Sequence, residues 1–300
     1  MNKLLHTPLT VHNVELANRL VMPPMATGKT PDGTVQDDLL AYYDARSKGG
    51  YIGLIVTEHA YVSPEGKAHE GQLSVSRDTD IPGLTKLVET IHKNNTRVIA
   101  QINHAGGAAM EEITGYPAIS ASVTAQSEYA RKSEKPVREM TADDMHTVAK
   151  KFSEAALRVK EAGFDGVEIH AAHGYLLDQF YSPLDVIRTV REAVGEDYLV
   201  ALRLGASDYT ESGATIDDAV YACKKFGKAG VDLLDISGGF NGFTVKNRKG
   251  PGFFSDASSA IREAVHVPVI LTGGVTKANE AEALLEEGAA DLIGVGRAIF

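Results

Sequence analysis

The sequence predicts a (β/α)₈ barrel, in which eight parallel strands close into a cylinder surrounded by helices. Short runs rich in β-branched residues alternate with amphipathic helical patterns, which is typical of parallel strands joined by helical crossovers. There are eight such runs, and 300 residues suit one barrel of about 250 residues with two additions. A doubly wound open sheet is the alternative, but its glycine-rich turn should follow the first strand, where this chain reads PPMATGKT.

The predicted strands and helices alternate along the whole chain. The strands begin at Arg19, Tyr51, Arg97, Phe164, Tyr198, Val231, Val267 and Asp291. Helical patterns between them include QDDLLAYYDARSKGG and KANEAEALLEEG, and a third follows Thr141, with Asp144 three residues later as in a capping box. We expect helices to end at Gly163, Gly230 and Gly288, because glycine readily adopts the left-handed conformation that ends many helices.

Two segments of the sequence are additional to the eight strand–helix units of a barrel. Residues 1–18 predict a short hairpin that plugs the bottom of the barrel, and residues 105–140 predict a long excursion after strand 3, at the end of the barrel where active sites lie. We take residues 1–300 as a single domain. The eighth strand ends near Gly296 and the sequence stops at Phe300, so no eighth helix follows and one flank of the barrel should be uncovered.

Composition and charge argue against several classes of protein. A formal net charge of −10 with no basic block argues against nucleic acid or an anionic membrane as a partner. No apolar run approaches the roughly 18 residues of a membrane span, and the N-terminus has no signal-peptide pattern. The single cysteine, Cys223, excludes an intramolecular disulfide framework or a cysteine-built metal site. These features favour a cytoplasmic protein that acts on small molecules, and they leave a homo-oligomer open.

Strand parity predicts which polar side chains point into the barrel. Gln101, His170 and Arg203 each alternate with apolar neighbours that should pack on the helices, so the three should converge on one mouth. Glycine-rich turns follow strands 7 and 8, TGGV at 272–275 and GVGR at 294–297. In barrels, turns at these two places commonly bind phosphate through backbone N–H groups. The alternative is that these glycines only form tight loops.

Four of these stretches resemble the old yellow enzyme family, the FMN-dependent ene reductases also called NADH:flavin oxidoreductases. They are NRLVMPPMAT at the first strand, QINHAG at the third, GFDGVEIHAAHGYLLDQF at the fourth and GVGRAIF at the eighth. The fourth-strand stretch is the most specific, and the resemblance runs through nearly the whole chain. It implies a bound FMN, NADH or NADPH as the reductant, and an alkene or quinone as the substrate.

The resemblance also implies residues that contact the flavin ring. The backbone of Pro24, Met25 and Ala26 would lie against the ring. Gln101 would bind the pyrimidine edge, and Arg203 would lie beside N1 and O2, where negative charge collects on reduction. The family usually has Thr or Cys where this chain has Ala26, so the redox potential of the ring is expected to differ.

The remaining implied residues hold the phosphate and the substrate. The phosphate would be bound by Gly273, Gly274, Gly296 and Arg297. His170 and His173 would donate hydrogen bonds to the activating oxygen of the substrate, and Tyr175 would be the proton donor. Two segments of the family pattern are missing, a polar loop after Leu184 and the final helix. The absence of a cysteine cluster argues against the iron–sulfur dienoyl-CoA reductase branch.

Other interpretations of the same residues remain open. The two histidines of HAAH could be metal ligands or polar core, although no further His or Cys motif completes a metal site. Arg203 could form a buried ion pair with a barrel acid. The chain could also be a flavin-free sugar-phosphate isomerase or aldolase, with Glu58 as the base, or a non-catalytic remnant. The colour of the purified protein would separate these alternatives from a flavoprotein.

Overall fold

The computed structural model describes residues 4–123, 135–180, 183–240, 242–245 and 248–299. Its strands are β1 (Leu9–Val11), β2 (Val14–Leu16), β3 (Leu20–Met22), β4 (Leu54–Val56), β5 (Ala60–Tyr61), β6 (Arg97–Asn103), β7 (Ile119–Ser120), β8 (Arg138–Glu139), β9 (Gly166–Ala171), β10 (Leu199–Gly205), β11 (Leu233–Ser237), β12 (Val269–Thr272) and β13 (Leu292–Gly294). Its helices are α1 (Asp37–Ser47), α2 (Ile81–His92), α3 (Glu111–Thr114), α4 (Ala142–Glu161), α5 (Leu184–Val194), α6 (Ile216–Lys228), α7 (Ser255–Ala264) and α8 (Ala278–Glu286).

The predicted barrel is confirmed. Eight parallel strands follow one another in the order β4, β3, β13, β12, β11, β10, β9 and β6, and pairing of β4 with β6 closes the cylinder. Each of the eight predicted runs contains one of these strands. Seven helices, α1, α2 and α4 to α8, each lie between two successive barrel strands. The assignment of residues 1–300 to a single domain stays a prediction.

The second predicted strand is interrupted. The run from Tyr51 forms β4, which stops at Val56, and then β5, which pairs with the far end of β6. Residues 57–59 lie between the two strands at the top of the barrel and belong to neither. The alternation of inward and outward side chains therefore does not extend past Val56.

The N-terminal hairpin plugs the bottom of the barrel, as predicted. Strands β1 and β2 pair antiparallel, and Val11, Val14 and Leu16 are buried. They pack against inward-facing apolar residues from seven barrel strands: Val21, Leu54, Ile99, Leu199, Leu233, Ile270 and Leu292. The barrel therefore has an apolar, water-excluding floor, and polar side chains can reach solvent only at the opposite end.

The other sequence signals are located as follows. The Thr141 hydroxyl accepts from the Asp144 amide at 3.2 Å, and the Asp144 carboxylate accepts from the Thr141 amide at 2.8 Å. Gly163, Gly230 and Gly288 have φ of +93°, +100° and +74°. In its described part, the excursion after β6 contains α3 and the short pair β7–β8. The described chain after β13 forms a single 3₁₀ turn at residues 297–299.

Helix α5 is anchored to the barrel by a buried arginine. Arg191 donates to the carbonyl oxygens of Gly195 and Tyr198 at 2.8 and 2.6 Å, and it pairs with Asp232 at 2.5 Å. Only 7% of its side chain is exposed. Within the ranges that the structure describes, no helix combines the length and the hydrophobicity needed to cross a bilayer.

Arg191→Ala is expected to lower the free energy of unfolding by about 3–5 kcal/mol, because Asp232 would lose the guanidinium group and keep only His12, at 3.2 Å, as a basic partner. The carbonyl oxygens of Gly195 and Tyr198 would lose a donor as well. Urea denaturation followed by circular dichroism measures this loss. The matched control is Arg188→Ala on the same helix, whose side chain is 60% exposed and which should change stability by less than about 0.5 kcal/mol. Equal effects of the two substitutions would show that the buried contacts of Arg191 do not stabilise the barrel.

Candidate active site

The inner face of the barrel changes from apolar to polar along each strand. In β10, Leu199 and Ala201 belong to the apolar floor, and Arg203, two residues further, lies above them and is 4% exposed. In β9, Glu168 and His170 share one face in the same way and are both buried. The polar side chains therefore gather at the C-terminal ends of the strands, which in barrel enzymes is the catalytic end.

Two carboxyl groups lie beside Arg203 inside the barrel. Its Nη1 is 3.1 Å from Oδ2 of Asp235, so the buried ion pair left open by the sequence is present. Gln101 donates from Nε2 to Oε2 of Glu168 at 2.6 Å, and the Thr272 hydroxyl donates to Oδ1 of Asp235 at 3.2 Å. Nε of Arg203 and Oε1 of Glu168 are buried and have no hydrogen-bond partner among the described residues.

Burial changes the protonation of these acids. It raises the pKa of Glu168 to about 8, and repulsion from Asp235 adds to the effect, while Arg203 partly opposes it. Burial also raises the pKa of Asp235, again opposed by Arg203. Glu168 is therefore predominantly protonated at neutral pH, and the ion pair belongs to Arg203 and Asp235.

A sharp turn after β9 brings the three predicted catalytic residues together. His173 and Gly174 have φ of +62° and +72°, and the Gly174 amide donates to Oδ2 of Asp178 at 2.7 Å. The reversal places the His173 ring centroid 5.0 Å from that of His170 and the Tyr175 ring centroid 5.3 Å from it. A left-handed histidine is strained, and such strain is found most often where a site requires a particular geometry.

Both histidines are neutral. Burial lowers the pKa of His170 well below its usual range, and the neighbouring His173, His59 and Arg203 lower it further. The pKa of His173 is also lowered well below its usual range, first by burial and then by Arg203 and His59. Nε2 of His173 lies 2.7 Å from Oγ of Ser237, which is also 3.4 Å from Nη2 of Arg203. A neutral imidazole has one N–H, so each ring can donate one hydrogen bond.

The predicted phosphate turns lie at the same end of the barrel. Gly273 and Gly274 follow β12 with φ of +151° and +71°, and a Cβ at Gly274 would overlap the carbonyl oxygen of Gly250. A Cβ at Gly296, after β13, would lie 3.1 Å from Sδ of Met25. The Gly274 and Gly296 positions thus leave no room for a larger side chain without displacing a neighbour, as expected of a cradle built from backbone.

The other predicted cofactor residues surround the mouth. Pro24 and Met25 are half-buried after β3, and Ala26 is exposed. Arg297 is exposed at the start of the 3₁₀ turn after β13 and makes no ion pair with any described residue. The structure therefore brings the nine predicted flavin-binding residues and the three predicted catalytic residues to one end of the barrel. Their individual roles stay predictions.

Sequence reasoning missed several polar residues of this site. Asp235 and Ser237 share the inward face of β11, so the parity argument applied to Arg203 could have found them. His59 and Gln72 follow the point where β4 stops and could not be found by parity. The Glu58 carboxylate, a candidate base in the isomerase alternative, accepts from the Thr27 amide at 3.0 Å, and burial raises its pKa to about 7.

A separate cavity lies outside the barrel mouth. It has a volume of 650 Å³ between the start of α5 and helix α6, and its wall includes Phe180, Leu184, Ala214 and Tyr221. None of the predicted site residues lines it. Among the described residues, no group of three or more His, Cys, Asp or Glu side chains is placed to hold a metal ion.

The closed barrel, the glycine turns after β12 and β13 and the polar mouth are the features expected of a barrel that binds a phosphate-bearing cofactor. Residues 4–300 match the profile of the NADH:flavin oxidoreductase / NADH oxidase family. The chain belongs to that family, which confirms the resemblance seen in the sequence. The family implies FMN as the cofactor, and the names of its relatives indicate a nicotinamide reductant.

Relatives with assigned names fall into two length classes. An NADPH dehydrogenase of Bacillus subtilis is 35% identical over 320 residues, which cover 100% of this chain and 92% of that relative. A metal reductase of Desulforamulus reducens is 34% identical over 320 residues, and an NADH oxidase of Thermoanaerobacter brockii is 34% identical over 317 residues. Those two alignments cover 99% and 97% of this chain but 47% and 48% of the relatives, so the chain spans about half their length.

Solved structures share the fold. A 2-naphthoyl-CoA reductase in complex with 2-naphthoyl-CoA has a TM-score of 0.91 at 24% identity, covering 99% of this chain and 50% of that chain. A morphinone reductase in complex with tetrahydroNAD has a TM-score of 0.82 at 24% identity, covering 98% of this chain and 86% of that chain. At these identities the comparison establishes the barrel architecture alone.

The residues at the mouth fit FMN. Arg203 has a buried Nε without a partner among the described residues, as expected of a group that is completed by a ligand. The glycine turn at 273–274 is packed so closely against the Gly250 carbonyl and the Phe253 ring that only residues without a side chain fit, as expected of a turn that would bind a phosphate through its backbone. Gln101 and Arg203 would hold the polar part of the flavin, and the glycine turns with Arg297 would hold its phosphate.

Glu168→Gln is expected to flatten the dependence of stability on pH. The folded-state pKa of Glu168, about 8, lies above its ordinary value of 4.5, so its stabilising contribution is complete at low pH and is lost as pH rises through 8. Between pH 6.5 and 8, the wild type should lose about 1 kcal/mol per pH unit relative to the variant.

Urea midpoints measured at several pH values test this expectation. Glu58 and Asp178, whose pKa values are also raised by burial, are present in both proteins and cancel in the difference. The exposed Glu196→Gln is the matched control and should leave the slope unchanged. Parallel curves for wild type and Glu168→Gln would show that Glu168 is ionised in the folded barrel.

Proposed function

We propose that this chain reduces the activated C=C bonds of enones and nitroalkenes, and reduces quinones to hydroquinones, with bound FMN as the cofactor and NADH or NADPH as the reductant. One observation carries the proposal: two neutral histidines and a tyrosine converge above Arg203 and Gln101 at the catalytic end of the barrel. The family membership supports the redox class, and the residues at the mouth support the kind of substrate.

The reaction needs a hydride at the β-carbon of the alkene and a proton at the α-carbon. Reduced FMN supplies the hydride when it is bound, and the protein holds it through the residues already described: Pro24, Met25, Ala26, Gln101, Arg203, Gly273, Gly274, Gly296 and Arg297. Arg203 carries a fixed positive charge at the mouth, which favours negative charge developing on a ring held beside it.

His170 and His173 bind and polarise the substrate. Negative charge builds on the carbonyl or nitro oxygen as the β-carbon accepts the hydride, and two N–H donors aimed at that oxygen stabilise the transition state more than the ground state. Arg203 can only donate, so the Oγ atom of Ser237 accepts a hydrogen bond from it. The hydroxyl proton of Ser237 can then point to Nε2 of His173, which accepts it. That arrangement leaves the proton of His173 on Nδ1.

Tyr175 provides the proton. The centroid of its ring lies 5.3 Å from that of His170 and 5.5 Å from that of His59, so the phenol borders the same space as the histidine donors. The O–H bond breaks as a C–H bond forms at the α-carbon, and the phenolate then recovers a proton from solvent. A positioned general acid of this kind contributes roughly 10²–10⁴-fold to rate.

Tyr175→Phe tests the proposed function, because it keeps the ring and removes the proton donor. Reduction of bound FMN by NADPH in a stopped-flow experiment should continue at close to the wild-type rate. Alkene-dependent turnover should slow by roughly 10²–10⁴-fold, and turnover of a quinone, which needs no carbon protonation, should be spared. A colourless protein that takes up no FMN would instead favour the flavin-free or non-catalytic alternatives.

Gly274→Ala is expected to weaken FMN binding at least roughly tenfold, because the new Cβ would overlap the Gly250 carbonyl and displace the cradle. Titration of the apoprotein with FMN, followed by flavin fluorescence, measures the dissociation constant. Gly227→Ala, inside α6 with no atom within 4 Å of the new Cβ, is the control and should leave FMN affinity unchanged. Wild-type affinity in Gly274→Ala would place the phosphate elsewhere.

A further inference from the structure

A third histidine lies at the barrel mouth and has no part in the mechanism above. His59 lies between β4 and β5, where the chain crosses the top of the barrel, and is 8% exposed. Its ring centroid is 6.1 Å from that of His170 and 5.5 Å from that of Tyr175. His59 therefore borders the same space as His170 and Tyr175.

The hydrogen bonds of Gln72 fix which nitrogen of His59 carries the proton. The Ala68 amide can only donate, and it donates to Oε1 of Gln72 at 2.6 Å, so the NH₂ group of Gln72 faces His59. That NH₂ group lies 2.8 Å from Nδ1 of His59 and 3.0 Å from its carbonyl oxygen. Nδ1 is therefore an acceptor, and the proton of the neutral ring is on Nε2.

His59 stays neutral, and its Nε2–H group is available to a ligand. Burial, reinforced by repulsion from His69 and Arg203, lowers its pKa to about 3. Nε2 has no hydrogen-bond partner among the described residues and, unlike Nδ1 of His170, is not sealed away from open space. A nearly buried N–H group without a partner is costly unless a ligand completes it.

We propose that His59 is a further substrate-binding residue, which donates from Nε2 to a second oxygen acceptor on the molecule held by His170 and His173. The site would then favour alkenes that carry two oxygen acceptors, such as quinones and unsaturated dicarbonyl compounds, over those that carry one. This inference rests on the proposed function, because it assumes that the first oxygen is bound by the other two histidines.

Nearby His69 makes a contrasting control. Its ring centroid is 5.4 Å from that of His59, but its Nδ1 donates to the carbonyl oxygen of Glu70 at 2.8 Å, and its Nε2 is sealed from solvent. The N–H group of His69 therefore donates to the backbone and is not available to a ligand. The two histidines are neighbours of the same type, and only His59 presents a donor to the mouth.

The test compares two phenols on the FMN-loaded protein by isothermal titration calorimetry. Both 4-hydroxybenzaldehyde and 4-methylphenol offer a phenolic oxygen to His170 and His173, and only the aldehyde has a second acceptor. In His59→Phe, the preference for the aldehyde should fall roughly five- to tenfold, the loss expected for one neutral hydrogen bond, while 4-methylphenol binds as before. His69→Phe should leave the preference unchanged, and His59→Gln, which keeps an N–H donor, should partly restore it.

Each outcome decides between the two ideas. Because each variant is measured with both ligands, the difference in acidity between the phenols cancels. An unchanged preference in His59→Phe overturns this inference and leaves the proposed function intact, whereas wild-type protein that binds neither phenol overturns both. Nitrogen-15 NMR of the wild-type protein gives a test that needs no variant: a proton on Nδ1 of His59 instead of Nε2 would also overturn the inference.

Discussion

The polar interior of the barrel depends on the guanidinium group of Arg203. Two carboxyl groups, Glu168 and Asp235, lie in the same desolvated space, and among the described residues Arg203 is the one cation that faces them. The ion pair forms with Asp235, and Glu168 keeps its proton and accepts from Gln101. A second buried carboxylate would have had to be compensated by a second cation. The barrel therefore carries a nearly neutral layer above its apolar floor, with donors of Arg203 still available at the mouth.

The part of the site that lies in strands could be predicted from the sequence, because successive side chains of a strand point to opposite faces of the sheet. Parity predicted that Gln101, His170 and Arg203 would be inward, and each lies in a strand of six or seven residues. His59 could not be predicted in this way, because β4 stops at Val56. Its position is set by the pairing of β5 with β6 and by Gln72, contacts between segments that are distant along the chain and leave no periodic pattern.

The turn that brings the proposed catalytic residues together shows a second limit of sequence reasoning. The resemblance named His170, His173 and Tyr175, but no local propensity predicts a histidine with positive φ. The conformation is held from outside the turn: Asp178 accepts from the Gly174 amide, and Gln179 donates to the Gly174 carbonyl at 2.7 Å. Gln179 also accepts from the Gly107 amide in the excursion after β6. The excursion is therefore bonded to the residue that holds this turn, which its polar composition did not reveal.

Burial keeps the surrounding histidines neutral, and the permanent charge of Arg203 reinforces this effect. Burial alone would disfavour an imidazolium, and the guanidinium adds repulsion at His59, His170 and His173. An imidazolium would be a stronger donor, but three of them beside an arginine would repel one another and would each need a buried anion. Neutral rings avoid that cost and still offer one N–H each. Because the pKa values of all three histidines lie well below neutrality, their rings stay neutral across the neutral pH range and keep one N–H donor each, even where the buried carboxyl groups titrate.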